Sequence, residues 1–144
     1  MLNETPVSRV MTANPVVANK FHNFSQVMRV FTEFGIHHLP VVDAEGRAFG
    51  IITSNDIPRV FMQLQNREPK ILLDVDAIDQ AINLEDIMTP NPYTIKATET
   101  LHDALLTMNQ KRILAIPVVD DDNKIIGVVS MKDITYFLLQ KGEN

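Results

Sequence analysis

Displaced by 77 positions, this sequence lies on itself without a gap. Met11-Thr12 falls on Met88-Thr89, Asn14-Pro15 on Asn91-Pro92, Pro40-Val41-Val42-Asp43 on Pro117-Val118-Val119-Asp120, Gly50 on Gly127 and Asp56-Ile57 on Asp133-Ile134. Conservative pairs fill the intervals: Val10 with Ile87, Ile51-Ile52 with Val128-Val129, Thr53 with Ser130. A register held this long is an internal duplication. Only two copies fit in 144 residues, and the period is longer than most solenoid units, so the copies are expected to pack face to face and share a core. A unit of about 55 residues buries too little surface to stand comfortably alone.

Within each copy the same elements follow one another. Phe24, Val27, Met28 and Phe31 lie at i, i+3, i+4 and i+7, the spacing of one helix face, and Leu101, Ala104, Leu105 and Met108 repeat it. Both helices open on a capping pattern, Asn23-x-x-Gln26 and Thr100-x-x-Asp103. The Met and Phe content of the first helix is read as core or dimer packing. Two β-rich runs follow, 38–42 and 48–52, joined by a polar turn containing Gly46; this predicts an antiparallel hairpin, repeated at 115–119 and 125–129. Each hairpin runs into a second helix through Thr53-Ser54-Asn55-Asp56 or Ser130-Met131-Lys132-Asp133. Pro58 in the first of these helices predicts a local kink. The repeats are drawn at 1–64 and 84–144, with 65–83 as a connector that has no counterpart, breaks near Pro69 and packs down through Ile71-Leu72-Leu73.

Composition excludes several functions. There is no cysteine, which removes disulfides, thiolate metal sites and cysteine nucleophiles. The net charge is −5 with Lys and Arg scattered, so nucleic acid is not the expected partner. No apolar run reaches a membrane span and the N-terminus has no signal layout, so no membrane association and a cytoplasmic location are expected. A Walker-type loop, a nucleophile motif and a carboxylate cluster with metal-ligand spacing are all missing, so no catalytic residue is assigned and an enzyme is not expected.

The ordered recurrence of Val10-Met11-Thr12 and Ile87-Met88-Thr89, the Leu/Ile-Pro-Val-Val-Asp strands, and the Gly50-to-Asp56 and Gly127-to-Asp133 segments resembles the CBS-domain pair, or Bateman module, over nearly the whole chain. The resemblance implies an α/β (α+β) fold of two β-α-β-β-α repeats related by a pseudo-twofold axis around a shared core, with two clefts between them. It also implies a homodimer, an adenosine-containing ligand (AMP, ADP, ATP or an S-adenosyl compound) with no required cofactor, energy sensing, and regulation of a partner protein not named by the sequence.

Each candidate site residue carries a plain reading beside the functional one. Thr53 with Asp56, and Ser130 with Asp133, are either helix caps or, by the resemblance, groups that hold a ribose diol at the positive end of a helix. His37 and His38 stand at the entry to the first hairpin strand, where adjacent residues point to opposite faces, so no metal site is expected there; they are, by the resemblance, phosphate contacts, or else ordinary part-buried histidines. Lys132 is a solvated side chain or a phosphate contact; the first repeat has Asn55 in its place. Val17, Leu39 and Pro40, with Thr94, Ile116 and Pro117, are by the resemblance adenine contacts, or else plain core. The resemblance groups Thr53 and Asp56 with Lys132, and Ser130 and Asp133 with His37, His38 and Thr12; Thr89 is the repeat partner of Thr12. The leading expectation is a ligand sensor, and the alternative is a ligand-free constitutive dimerisation or protein-interaction domain.

Overall fold

The structure, a computed structural model, describes residues 1–142; Glu143 and Asn144, the last residues of the second repeat as drawn above, lie outside the described residues. The first copy folds as β1 (Thr12–Ala13), β2 (Ala18–Asn19), α1 (Phe24–Phe34), β3 (His38–Val42), β4 (Ala48–Thr53) and α2 (Asp56–Arg67). The second gives β5 (Thr89–Pro90), β6 (Ile95–Lys96), α5 (Leu101–Lys111), β7 (Ala115–Val119), β8 (Ile125–Ser130) and α6 (Met131–Gly142). Between them lie a 3₁₀ turn (Pro69–Leu73), α3 (Val75–Ala81) and α4 (Leu84–Ile87).

Both first helices begin where the sequence places them. Asn23 Oδ1 accepts from Gln26 N at 2.9 Å while Gln26 Oε1 accepts from Asn23 N at 2.8 Å, closing the box at α1. At α5, Asp103 N donates to Thr100 Oγ1 at 3.2 Å and Thr100 N donates to Asp103 Oδ2 at 3.0 Å. The Thr100 N–H, and then its hydroxyl, hold the Asp103 carboxyl below the usual carboxylate range. Phe24 and Val27 of α1 are buried, and Met28 and Phe31 pack against the same core.

The strands form two four-stranded sheets, β2-β3-β4-β5 and β6-β7-β8-β1. β2 runs parallel to β3 with Ala18 opposite Val41, and β6 parallel to β7 with Ile95 opposite Val118. The last strand of each sheet comes from the other repeat: β5 pairs antiparallel to β4, Thr89 opposite Ile51, and β1 pairs antiparallel to β8, Thr12 opposite Val128. The duplication thus extends to the hydrogen-bond register.

The chain accordingly divides into two compact units, neither of which is one repeat. The first contains Met1–Pro15, Glu45–Ala48 and the chain from Pro92 onward; the second contains Val16–Ala44 and Phe49–Asn91. In the second unit Phe24, Val27, Leu39, Val41 and Ile52 are buried with Leu84, Ile87 and Met88, which precede β5, and the Phe24 and Phe61 rings meet edge to face at 5.6 Å. In the first unit Val7, upstream of β1, is buried with Leu101, Ala104, Met108, Ile116, Val118, Val129 and Ile134.

Pro58 lies within α2, which runs through it. As the third helical residue it lies in the first turn, where the amide it lacks would have no intrahelical acceptor. The connector is more ordered than its lack of a repeat partner suggests. Ile71 and Leu72 pack against the core as expected, while the Leu73 side chain lies outside the described residues. Asp74 then caps α3 by accepting from Asp76 N at 3.0 Å, Ile78 and Ile82 are buried, and Asp79 accepts from Ser25 N at 2.8 Å and Ser25 Oγ at 2.6 Å at the start of α1.

Left-handed backbone recurs at repeat-related positions: Asn14 and Asn91 (φ 49° each), Gly35 (62°) and Arg112 (55°), Gly46 (81°) and Asn123 (63°). Gly35 is the helix-ending residue that favours glycine, whereas its partner Arg112 carries a Cβ in the same conformation. Replacing Arg112 by glycine is therefore expected to stabilise the fold by about 0.5–1 kcal/mol, the relief of the left-handed Cβ contact less the entropy gained by the unfolded chain. The urea midpoint should rise at constant slope, and a fall would show that the arginine side chain contributes more than its backbone costs.

Candidate functional site

Thr53 with Asp56, and Ser130 with Asp133, lie at the two strand-to-helix junctions, one in each unit. At the β4–α2 junction Asp56 is the first helical residue and turns its carboxylate back: Oδ2 accepts from Thr53 N at 2.8 Å and from Thr53 Oγ1 at 3.3 Å. At the β8–α6 junction the exchange is reciprocal, Asp133 Oδ2 accepting from Ser130 N at 3.0 Å and Ser130 Oγ accepting from Asp133 N at 3.1 Å. The reciprocal cap is thus complete at Ser130/Asp133, whereas at Thr53/Asp56 only the carboxylate half is made and the Thr53 hydroxyl donates instead of capping a helix N–H. These bonds use one carboxylate oxygen and leave the other, at half-buried positions near the positive end of a helix.

The exchanged strands bring further candidates to these junctions. β5 sets Thr89, exposed, beside Ile51 on the strand that ends at Thr53; β1 sets Thr12, exposed, beside Val128 on the strand that ends at Ser130. His37 is exposed, accepts from Ser54 N at 2.9 Å through its carbonyl, and holds Nδ1 3.3 Å from Ser54 Oγ. Its repeat partner Leu114 accepts the same backbone bond from Met131 N at 2.8 Å but offers no polar side chain. His38 is half-buried at the start of β3. Lys132 is exposed in the first turn of α6. Among the described residues no group of three or more His, Asp or Glu could hold a metal ion.

The six candidates for holding a flat base divide by burial. Leu39 and Ile116 are fully buried in their cores, and Pro40 and Pro117 are buried on β3 and β7. Val17 is 37% exposed and Thr94 is exposed. Of the six, Val17 and Thr94 alone have exposed side chains. A shallow recess of about 50 Å³ in the second unit is lined by Val17, Ala18, His22, Gln26, Val27, Val30 and Leu39.

Sequence reasoning passed over one residue at these junctions. Arg59 Nη2 reaches Asp56 Oδ1 at 3.3 Å and donates to Ile87 O at 3.0 Å. The Asp56-x-x-Arg59 spacing on a helix was the available signal.

Comparison with known proteins follows the same duplication. The CBS domain family model matches residues 7–62 and again 84–140. The chain is 29% identical over 131 residues to L-aspartate semialdehyde sulfurtransferase of Methanocaldococcus jannaschii, covering 91% of this chain and 23% of that protein. To homoserine O-acetyltransferase of Methanohalobium evestigatum it is 33% identical over 134 residues, covering 93% and 24%. The chain spans about a quarter of the length of these relatives. A CBS domain pair crystallised with 5′-methylthioadenosine and S-adenosyl-L-methionine superposes with a TM-score of 0.80 at 28% identity, covering 95% of this chain and 98% of that one. CBSX2 in complex with AMP gives 0.76 at 23% identity, covering 96% and 98%, a likeness of fold.

Proposed function

This chain belongs to the CBS-domain family, which it represents as a tandem pair, and we propose that it is a regulatory module that binds an adenosine-containing small molecule and reports its occupancy to a partner protein. The ligand is AMP, ADP, ATP or an S-adenosyl compound. The observation that carries the reading is the Thr/Ser-x-x-Asp turn built twice, with the second carboxylate oxygen outside the turn's own bonds at Asp133 and facing Arg59 at Asp56. Such an oxygen accepts from both hydroxyls of a ribose diol, and a charge-assisted bond of this kind is stronger than a neutral one. The 28% likeness, over nearly the whole chain, to a pair that holds two adenosyl ligands supports the same class.

In this reading Asp56 and Asp133 hold ribose, and Thr53, Ser130, Thr12 and Thr89 line the ribose or phosphate. His37, His38 and Lys132 meet phosphate, and the base lies against Val17 with Leu39 and Pro40, or Thr94 with Ile116 and Pro117. The module works as a binding protein and not as an enzyme, as a cytoplasmic homodimer. Among the described residues no helix is long and apolar enough to cross a membrane. Signalling is linkage: a ligand moves the conformational equilibrium only by its difference in affinity for the two states.

Equilibrium dialysis against AMP and S-adenosylmethionine tests the proposal. At least one is expected to bind in the micromolar range, and Asp133→Asn is expected to weaken binding at its site about tenfold or more. Asparagine keeps a capping oxygen, so the melting temperature should stay nearly constant and separate the ligand role from the cap. Binding no tighter than millimolar for every adenosyl compound would overturn the sensor and leave the constitutive interaction domain.

A further inference from the structure

The two junctions are alike in backbone, and among the side chains that differ between them one, Arg59, touches the candidate carboxylate itself. In the second unit Asp56 Oδ2 is committed to Thr53, and Oδ1, the oxygen a ligand would need, lies 3.3 Å from Arg59 Nη2. The same nitrogen donates to Ile87 O at 3.0 Å. Ile87 is the last residue of α4, so its carbonyl is one of the orphan acceptors of a helix end, and two residues later the chain enters β5, the strand this unit takes from the other repeat. Arg59 therefore spans from the candidate diol-binding carboxylate to the root of the exchanged strand. The Arg59 side chain is 45% exposed and that of Asp56 18%, so the pair is within reach of an incoming ligand.

In the first unit the repeat partner of Arg59 is Tyr136, whose phenolic oxygen accepts from Gln140 Nε2 at 2.8 Å. Among the described residues, Asp133 Oδ1 has neither a hydrogen-bond donor nor an ion-pair partner. A diol meets an available oxygen at Asp133 and a competing guanidinium at Asp56.

We infer that Arg59 is the residue that makes the two sites unequal: it competes with ligand for Asp56 and couples the occupancy of that site, alone of the two, to the α4–β5 segment. The inference rests on the assignment of Asp56 as a ribose acceptor. A diol that takes Oδ1 frees the guanidinium from the carboxylate while Ile87 O stays within its reach, so filling this site alters the anchoring of the exchanged strand. Filling the Asp133 site has no such handle. The Asp133 site fills first, and the Asp56 site responds only at higher ligand concentration.

The test uses the full chain carrying Asp133→Asn, which weakens the other site, with and without Arg59→Gln. Adenosine, a diol without phosphate, is titrated by calorimetry, and backbone hydrogen exchange is followed at residues 88–91. Loss of a half-exposed ion pair as competitor should tighten adenosine binding about two- to fivefold in Arg59→Gln. Saturating adenosine should change exchange at 88–91 in the Arg59 protein and leave it unchanged in Arg59→Gln. If adenosine binds but no tighter in Arg59→Gln, the inference falls and the function proposed above stands. It falls equally if the exchange response is absent with Arg59 or survives without it. If adenosine binds neither protein, the assignment of Asp56 falls and takes the inference with it.

Discussion

Truncating Leu39 or Ile116 to alanine is expected to cost about 2–5 kcal/mol of folding stability in each case, because both side chains are fully buried among large apolar neighbours and leave a cavity. The measurement is urea unfolding of each variant, with the free energy taken from midpoints at unchanged slope. Val17→Ala, at a position 37% exposed, should cost less than about 1 kcal/mol. The contrast divides the candidate base contacts: Leu39 and Ile116 hold the sheets against their helices and can offer a ligand only backbone, whereas the Val17 side chain is available for contact. A loss below about 1 kcal/mol for Leu39→Ala would show that its surroundings are not close-packed, against the burial described above.

Gly50→Ala and Gly127→Ala should each destabilise by about 1–3 kcal/mol through overpacking. A Cβ on Gly50 would run into the Met88 sulfur and stand 3.1 Å from Thr89 O; one on Gly127 would meet the Met11 sulfur and stand 3.0 Å from Thr12 O. A methionine side chain can move, but the carbonyl belongs to the paired exchanged strand and yields only by loosening that pairing. Calorimetric melting of the two single variants and the double variant checks this. The two contacts lie in different units, so the losses should add to within about 0.5 kcal/mol. Wild-type stability in either single variant would show that β1 or β5 shifts at no cost.

Which features the sequence disclosed follows from range. α1 and α5 were readable because periodicity and a capping box are written within a dozen residues, and the hairpins because the turn and both strands are contiguous. The exchanged strands were not. β1 and β5 are two residues long, exposed and without alternation, and each pairs with a strand of the other repeat. Their trace in the sequence was a mid-strand glycine and a methionine recurring together, Gly50 with Met88 and Gly127 with Met11, which gains meaning only once the pairing is seen. α3 was missed because the register that organised the reading has no second copy there; Asp74 before Val75, with Ile78 and Ile82 beyond, was the local cue. β3 is buried on both faces over Leu39 to Val41, so alternation could not tell core from contact. Comparing repeats brought out what they share, the Thr/Ser-x-x-Asp turns, and by the same logic passed over Arg59, where they differ.

Strand exchange also bears on how such a chain assembles. Cut from its twin, either repeat would keep a β4 or β8 edge with unpaired amides and carbonyls, and would lack the Val7 or Leu84-to-Met88 side chains that complete a core. Two loose copies would have to find one another, and their stability would follow protein concentration as it does for an obligate dimer. The covalent link between the copies replaces that bimolecular encounter by a local concentration in roughly the millimolar range, typical of short tethers. Dilution therefore does not dissolve the pairing, and the fold holds its form at whatever abundance the cell maintains.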